Sequence, residues 1–119
     1  MKIIIIGLGL IGGSIAKALS SAQDYEILAF DSDQQSIKNA LHNQSIQGSL
    51  NSLNDLESAE YSHSLVIIST PPSVTNDILK SLDFLINSSR FVILWNFNGV
   101  QNVIYYRFCC YLLGFCFIG

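Results

Sequence analysis

The amino-acid sequence predicts a single α/β domain built on a doubly wound parallel sheet. Three observations predict it. Short β-branched runs alternate with helical patterns through the first ninety residues, the connections between them are short, and a glycine-rich turn joins the first run to the first helix.

Lys2–Ile6 opens the chain with four consecutive isoleucines, ended by Gly7. A continuous apolar run suits a strand buried on both faces, as in the middle of a parallel sheet. It is too short for the apolar core of a secretory leader. Residues 14–22 read as a helix with Ile15, Ala18, Leu19 and Ala22 on one face. Glu26–Phe30 is a second apolar strand, closed by Asp31. Residues 33–42 form a helical pattern with Asp33 as an acid in its first turn. Residues 46–50 fit a short edge strand and Leu53–Glu57 a short helix. Residues 65–69 are the next β-branched strand, and Thr70-Pro71-Pro72 breaks it. Residues 73–82 then read as a helix and Phe91–Leu94 as a further strand. No internal repeat and no low-complexity linker interrupts the pattern.

Composition narrows the function. The chain has 119 residues, 50% of them hydrophobic and 13% charged, which is too apolar for disorder. Six basic against nine acidic residues leave a net charge of −3, with no cationic excess to neutralise phosphates, so sequence-independent nucleic-acid binding is excluded. The length suits one small domain and is too short for a nucleotide-binding domain plus a full substrate domain. The charges stop abruptly. Residues 91–119 carry one of the fifteen, Arg107, yet hold nine of the thirteen aromatics and all three cysteines. The expected division is a dinucleotide-binding domain over residues 1–95 and a divergent apolar segment over 96–119.

The chemistry sits at the first strand–helix junction, Gly7-Leu8-Gly9-Leu10-Ile11-Gly12-Gly13-Ser14. Gly7, Gly9 and Gly12 fit G-x-G-x-x-G: a tight turn, a close approach of the backbone to a pyrophosphate, and close helix–strand packing. The first-turn N–H groups, around Leu10 and Ile11, would then face a diphosphate, aided by the helix dipole. Asp31, nineteen residues past Gly12 at the end of the second strand, is placed to accept from an adenosine ribose. Its charge opposes a 2′-phosphate, so NAD is expected over NADP. Ser69, Thr70 and Pro71 fall at the carboxyl end of the fourth strand, the edge where ligands sit in open α/β sheets, and could line the nicotinamide-side ribose. Structural readings stand beside these: a glycine turn of some other α/β protein, an Asp31 that only caps the next helix, and a strand-ending turn with proline at the first helical position. Ser14 is read as beginning the first helix. His42, His63, Glu57 and Glu60 read as solvated surface, with no metal-ligand spacing.

The run from Ile4 to Ser14, Asp31, and Val66-Ile67-Ile68-Ser69-Thr70-Pro71-Pro72 together resemble the N-terminal, Rossmann-like half of prephenate/arogenate dehydrogenases of tyrosine biosynthesis. The resemblance covers residues 1 to about 90. The Gly-Leu-Gly-Leu-Ile-Gly-Gly-Ser run is fairly specific to that family, whereas the Thr-Pro-Pro turn is shared with hydroxyisobutyrate-type dehydrogenases and pyrroline-carboxylate reductases. It implies an NAD(P)-dependent oxidative decarboxylation, in which a ring carbinol carbon loses hydride and carbon dioxide leaves as the ring becomes aromatic. Beyond residue 90 the likeness degrades. Where the family has Thr-Asp-x-Gly-Ser-Val-Lys, this chain has Trp95-Asn96-Phe97-Asn98-Gly99-Val100-Gln101, with neutral Asn96 and Gln101 for Asp and Lys and Gly99 for the serine. No histidine follows His63, so the family's His-Pro motif is missing, as is its helical substrate domain.

For the last residues three readings stay open: a final helix and strand, a membrane anchor, or the product of a damaged reading frame. Only twelve residues follow Arg107, short of the roughly 20 that span a bilayer. Cys109, Cys110 and Cys116 have neither metal spacing nor a disulfide framework. The expectation is therefore a cytoplasmic nucleotide-binding portion of such an oxidoreductase. It would be inactive alone, engaging prephenate or arogenate only in a complete enzyme. No nucleic acid or membrane partner is expected, and self-association through the apolar segment is open. Rival expectations are another dehydrogenase or reductase with the same nucleotide domain, and a non-catalytic NAD-binding remnant.

Overall fold

The computed structural model describes residues 2–22, 24–61, 63–81 and 91–94. The isoleucine run forms β1 (Lys2–Ile6), the middle of a five-stranded parallel sheet, between β2 (Glu26–Phe30) and β4 (Leu65–Ile68). β3 (Gly48–Ser49) and β5 (Phe91–Leu94) complete the order β3-β2-β1-β4-β5. In register, Ile5 stands between Ala29 and Ile67.

Strand alternation sends each isoleucine of β1 to one of two cores. Ile3 and Ile5 join Ile27, Ala29 and Ile67 on one face; Ile4 and Ile6 join Leu28, Val66 and Ile68 on the other. Both cores are covered, so the run tolerates no polar interruption. α1 (Leu10–Ser20) and α2 (Gln34–His42) cover the first face through Ala16, Ile37 and Ala40. α3 (Pro72–Ser81) and a 3-10 turn at Leu53–Glu57 cover the second through Ile78 and Leu56. The order explains the two layers. The chain steps from β1 to β3 in one direction, then crosses back to the other side of β1, and right-handed crossovers in opposite directions put their connections on opposite faces.

The helices and the edge depart from the sequence expectation in instructive ways. α1 begins at Leu10, not residue 14, so Ser14 lies inside it and its hydroxyl donates to the Leu10 carbonyl at 2.6 Å. The buried positions of α1 are Gly12 and Ala16, with Ile15 and Leu19 packed beside them, whereas Ala18 faces solvent. A helix pressed close against a sheet uses its smallest residues at the contact, which an apolar-moment argument undervalues. Asp33 is the N-cap of α2 and accepts from Gln35 N–H at 3.0 Å. At the edge, β3 spans two residues only, but Gln47 N–H and Leu50 N–H still donate to Ile27 and Ala29 carbonyls across the gap at 2.8 and 2.9 Å. Leu53–Glu57 is a 3-10 turn held by a capping box between Ser52 and Asp55, and a second such turn, Ala59–Tyr61, follows it unforeseen. β4 ends at Ile68, and α3 starts on Pro72, where the missing N–H costs no helical bond. Residue 82 and the whole of 96–119, including Cys109, Cys110 and Cys116, lie outside the described residues.

The amino ends of the strands are tied by charge. Lys2 Nζ lies 2.6 Å from Glu60 Oε1 and 4.0 Å from Glu26 Oε2, and 5.0 Å from the centre of the Tyr61 ring. The hydrogen bond to Glu60 holds the Lys2 ammonium above its ordinary range, and burial pushes the Tyr61 phenol up.

Leu56 is fully buried under the second face. Leu56→Ala is expected to lower stability by about 2–5 kcal/mol in urea unfolding. Leu10→Ala, at a side chain 85% exposed, should stay within about 0.5 kcal/mol of the parent.

Candidate functional site

The winding reverses between β1 and β4, and the loops leaving their carboxyl ends diverge there to open a crevice. Gly7 leaves β1 at φ +97°, a left-handed conformation that favours glycine. Its N–H donates to the Phe30 carbonyl at 2.8 Å. A Cβ on Gly7 would lie 2.8 Å from Thr70 Cγ2 and 2.9 Å from the Ser69 carbonyl oxygen. A Cβ on Gly12 would overlap the Gly7 carbonyl oxygen and come within 2.5 Å of Ser69 Oγ. The Ser69 hydroxyl donates to that same carbonyl at 2.7 Å, and its N–H donates to the Ile6 carbonyl at 2.9 Å. Gly7, Gly12 and Ser69 thus form one close-packed joint between β1, α1 and β4.

Gly9 is the opposite case. It is the N-cap of α1 in an extended conformation, and a Cβ built on it meets nothing within 4 Å. No side chain caps the helix and no acid occupies its first turn. Gly13 N–H donates to the Gly9 carbonyl at 2.8 Å, and among the described residues no acceptor meets the N–H groups of Leu10, Ile11 or Gly12. Open room beside unpartnered N–H groups at the positive end of a helix dipole suits an anion.

Asp31, at the end of β2, reaches across to this loop. One carboxylate oxygen accepts from Leu8 N–H at 2.7 Å and the other from Asp33 N–H at 2.8 Å. The capping of α2 is left to Asp33. Each Asp31 oxygen keeps a further lone pair, so the clamp can still accept from a hydroxyl. Thr70 is half-buried and Pro71 exposed at the carboxyl end of β4. Thr70 Oγ1 lies 2.7 Å from Oγ1 of buried Thr75, a residue that the sequence reading passed over. Its signal was a hydroxyl one helical turn after the diproline.

The structure thus brings Gly7, Gly9, Leu10, Ile11, Gly12, Asp31, Ser69, Thr70 and Pro71 to one end of the sheet. Within that group Ser69 is committed to the backbone of Gly7, while Leu10 and Ile11 contribute main-chain N–H groups. His63 precedes β4 and His42 ends α2, so both exposed rings belong to the opposite end. Glu57 is exposed and Glu60 pairs with Lys2. Among the described residues no three His, Cys, Asp or Glu side chains gather as a metal site, and no helix is long and apolar enough to cross a membrane. A groove of about 300 Å³ runs from the glycine loop between α1 and α2, lined by Leu8, Leu10, Ser14, Lys17, Asn39, Asn43 and their neighbours.

Known proteins are similar to this chain in sequence and fold. The chain is 37% identical over 82 residues to prephenate dehydrogenase of Lactococcus lactis subsp. cremoris, a match covering 68% of this chain and 22% of that protein. Its fold superposes on the crystal structure of prephenate dehydrogenase from A. aeolicus in complex with hydroxyphenyl propionate and NAD+. The TM-score is 0.64 at 26% identity, covering 79% of this chain and 33% of that one. Synechocystis arogenate dehydrogenase gives a TM-score of 0.59 at 26% identity, over 86% of this chain and 34% of that one. The chain therefore spans between about a fifth and a third of the length of these relatives. The resemblance to prephenate/arogenate dehydrogenases and the Rossmann-like fold are both borne out. Residues 3–92 match the TrkA-N domain, and the chain belongs to that family.

Proposed function

We propose that this chain is the NAD-binding portion of a prephenate- or arogenate-dehydrogenase-type oxidoreductase of tyrosine biosynthesis, acting in the cytoplasm, with residues 1–95 as the nucleotide-binding unit. The contrast among the three glycines carries the reading. Gly7 and Gly12 are surrounded by protein atoms, whereas the space a Cβ would take at Gly9 is empty. That space, with three unpartnered N–H groups beside it, fits a diphosphate. The similarity to the two dehydrogenases supports the same assignment.

On this reading the N–H groups of Leu10, Ile11 and Gly12 hold the diphosphate, Asp31 accepts from the adenosine ribose, and Thr70 with Pro71 borders the nicotinamide side. Ser69 keeps the Gly7 carbonyl turned away from the phosphates. The bound coenzyme supplies a hydride acceptor, the chemistry an oxidative decarboxylation requires. Asp31 sets the coenzyme preference, because its carboxylate repels a 2′-phosphate. These 119 residues by themselves bind without turnover. A general base must come within about 3 Å of the proton it takes, and His42 and His63 belong to the far end of the sheet.

Calorimetry is expected to show NAD binding more tightly than NADP, and Asp31→Asn to narrow that gap at least tenfold by removing one charge a few ångströms away. NADP binding as tightly as NAD would sink the coenzyme assignment. Gly9→Ala should weaken NAD at least tenfold while keeping stability within about 1 kcal/mol. Gly12→Ala should instead destabilise the fold by about 1–3 kcal/mol, through overpacking against Gly7 and Ser69. Gly9→Ala protein that binds NAD as the parent does would remove the central support. Incubated with prephenate or arogenate and NAD, the purified 119-residue chain should form no NADH; sustained NADH formation would refute the inactivity.

A further inference from the structure

Thr75 stands in the first turn of α3 with its hydroxyl buried against the end of β4. Its Oγ1 lies 3.0 Å from the Thr70 carbonyl oxygen, 3.0 Å from the Pro71 carbonyl oxygen and 2.7 Å from Thr70 Oγ1. A hydroxyl has one proton to give and two lone pairs. Two of these three neighbours are carbonyls, which only accept. The Pro71 carbonyl also accepts from the Thr75 N–H at 2.9 Å, whereas among the described residues the Thr75 hydroxyl is the one donor that meets the Thr70 carbonyl, so if the Thr75 proton went to Thr70 Oγ1 that carbonyl would face only a lone pair. The proton is therefore assigned to the Thr70 carbonyl, which makes Thr70 the donor in the hydroxyl–hydroxyl bond. That fixes the polarity of Thr70. Its only proton is spent inward, and what its oxygen offers to a ligand is acceptor capacity alone. Its rotamer is fixed as well, because Thr70 Cγ2 packs over the Cα of Gly7, where a Cβ would come within 2.8 Å.

We propose that Thr75 is a positioning residue that turns Thr70 into a dedicated acceptor for a sugar hydroxyl, the one on the nicotinamide-side ribose of the coenzyme. The inference rests on the dinucleotide reading above and deepens it. An acceptor-only oxygen at this position disfavours phosphate and carboxylate oxygens, so it also keeps the diphosphate on the α1 side of the crevice. The sugar is favoured over any anion because a hydroxyl can donate.

Three ligands separate the contributions: NAD, ADP-ribose, which keeps the second ribose without nicotinamide, and ADP, which has neither. Thr75→Val is expected to weaken NAD and ADP-ribose roughly three- to tenfold, the scale of one misdirected hydrogen bond, and to leave ADP unchanged. Thr75→Ser should restore wild-type binding of all three, and Thr70→Val should reproduce the Thr75→Val loss. Wild-type NAD affinity in Thr75→Val would overturn the proposal. So would an equal loss for ADP, which marks general damage to the loop, or a loss for NAD that spares ADP-ribose, which moves the contact to the carboxamide. If the wild-type chain binds none of the three, the dinucleotide reading itself fails, and this inference with it.

Discussion

The Gly7 carbonyl oxygen, the Cα of Gly12 and the Ser69 hydroxyl occupy one small volume, and the rest of the site is referred to it. That contact sets how far α1 stands from the sheet. It holds the first turn of α1 at a fixed height over the carboxyl end of β1, so the free N–H groups converge on the space beside Gly9. A methyl group at Gly12 would push the helix outward along with those donors. Gly7 N–H on Phe30 and Leu8 N–H on Asp31 anchor the same loop to β2, and Ser69 N–H on Ile6 anchors β4. Three strands therefore fix one loop, mostly through main-chain atoms.

The sheet divides stability from binding. Its interior is β-branched and apolar on both faces, and its amino edge is closed by Lys2 with Glu60 and Glu26. Lys2 and Tyr61, both raised above their ordinary ranges, are at that closed edge. Among the described residues the polar groups at the open edge are backbone N–H, the Asp31 and Asp33 carboxylates and hydroxyls. Such a set recognises charge and hydrogen-bonding pattern.

The sequence carried local information faithfully and distant information poorly. β1, β2 and β5 have the predicted bounds, and for β1 and β2 burial on both faces leaves a continuous signature that no helix of that length would need. The start of α1 was misplaced because Gly12 and Gly13 have low helix propensity, and only the joint with Gly7 and Ser69 makes helix the better state there. Leu53–Glu57 is the short helix expected, with the same bounds and of the 3-10 kind, since a capping box and one buried leucine stabilise a single tight turn. Glycine spacing located the elbow and Asp31. It did not show that Ser69 serves the backbone 62 residues away, or that Asp31 clamps Leu8 over a separation of 23. Those contacts exist only once the sheet is assembled.

The double engagement of Asp31 links coenzyme choice to loop geometry. Its two oxygens already hold Leu8 N–H and Asp33 N–H, one on the phosphate loop and one at the entry to α2. An amide in its place would present one acceptor and one donor, so one of those N–H groups would lose its partner and face an NH2 group. A smaller side chain would release both. A change that admits a 2′-phosphate therefore also loosens the loop that positions the diphosphate donors. Relaxing the preference without weakening the site requires a second change that ties Leu8 N–H to another acceptor. The carboxylate is held in place by the same backbone it supports, so on the proposed reading any discrimination against a 2′-phosphate is built into the fold.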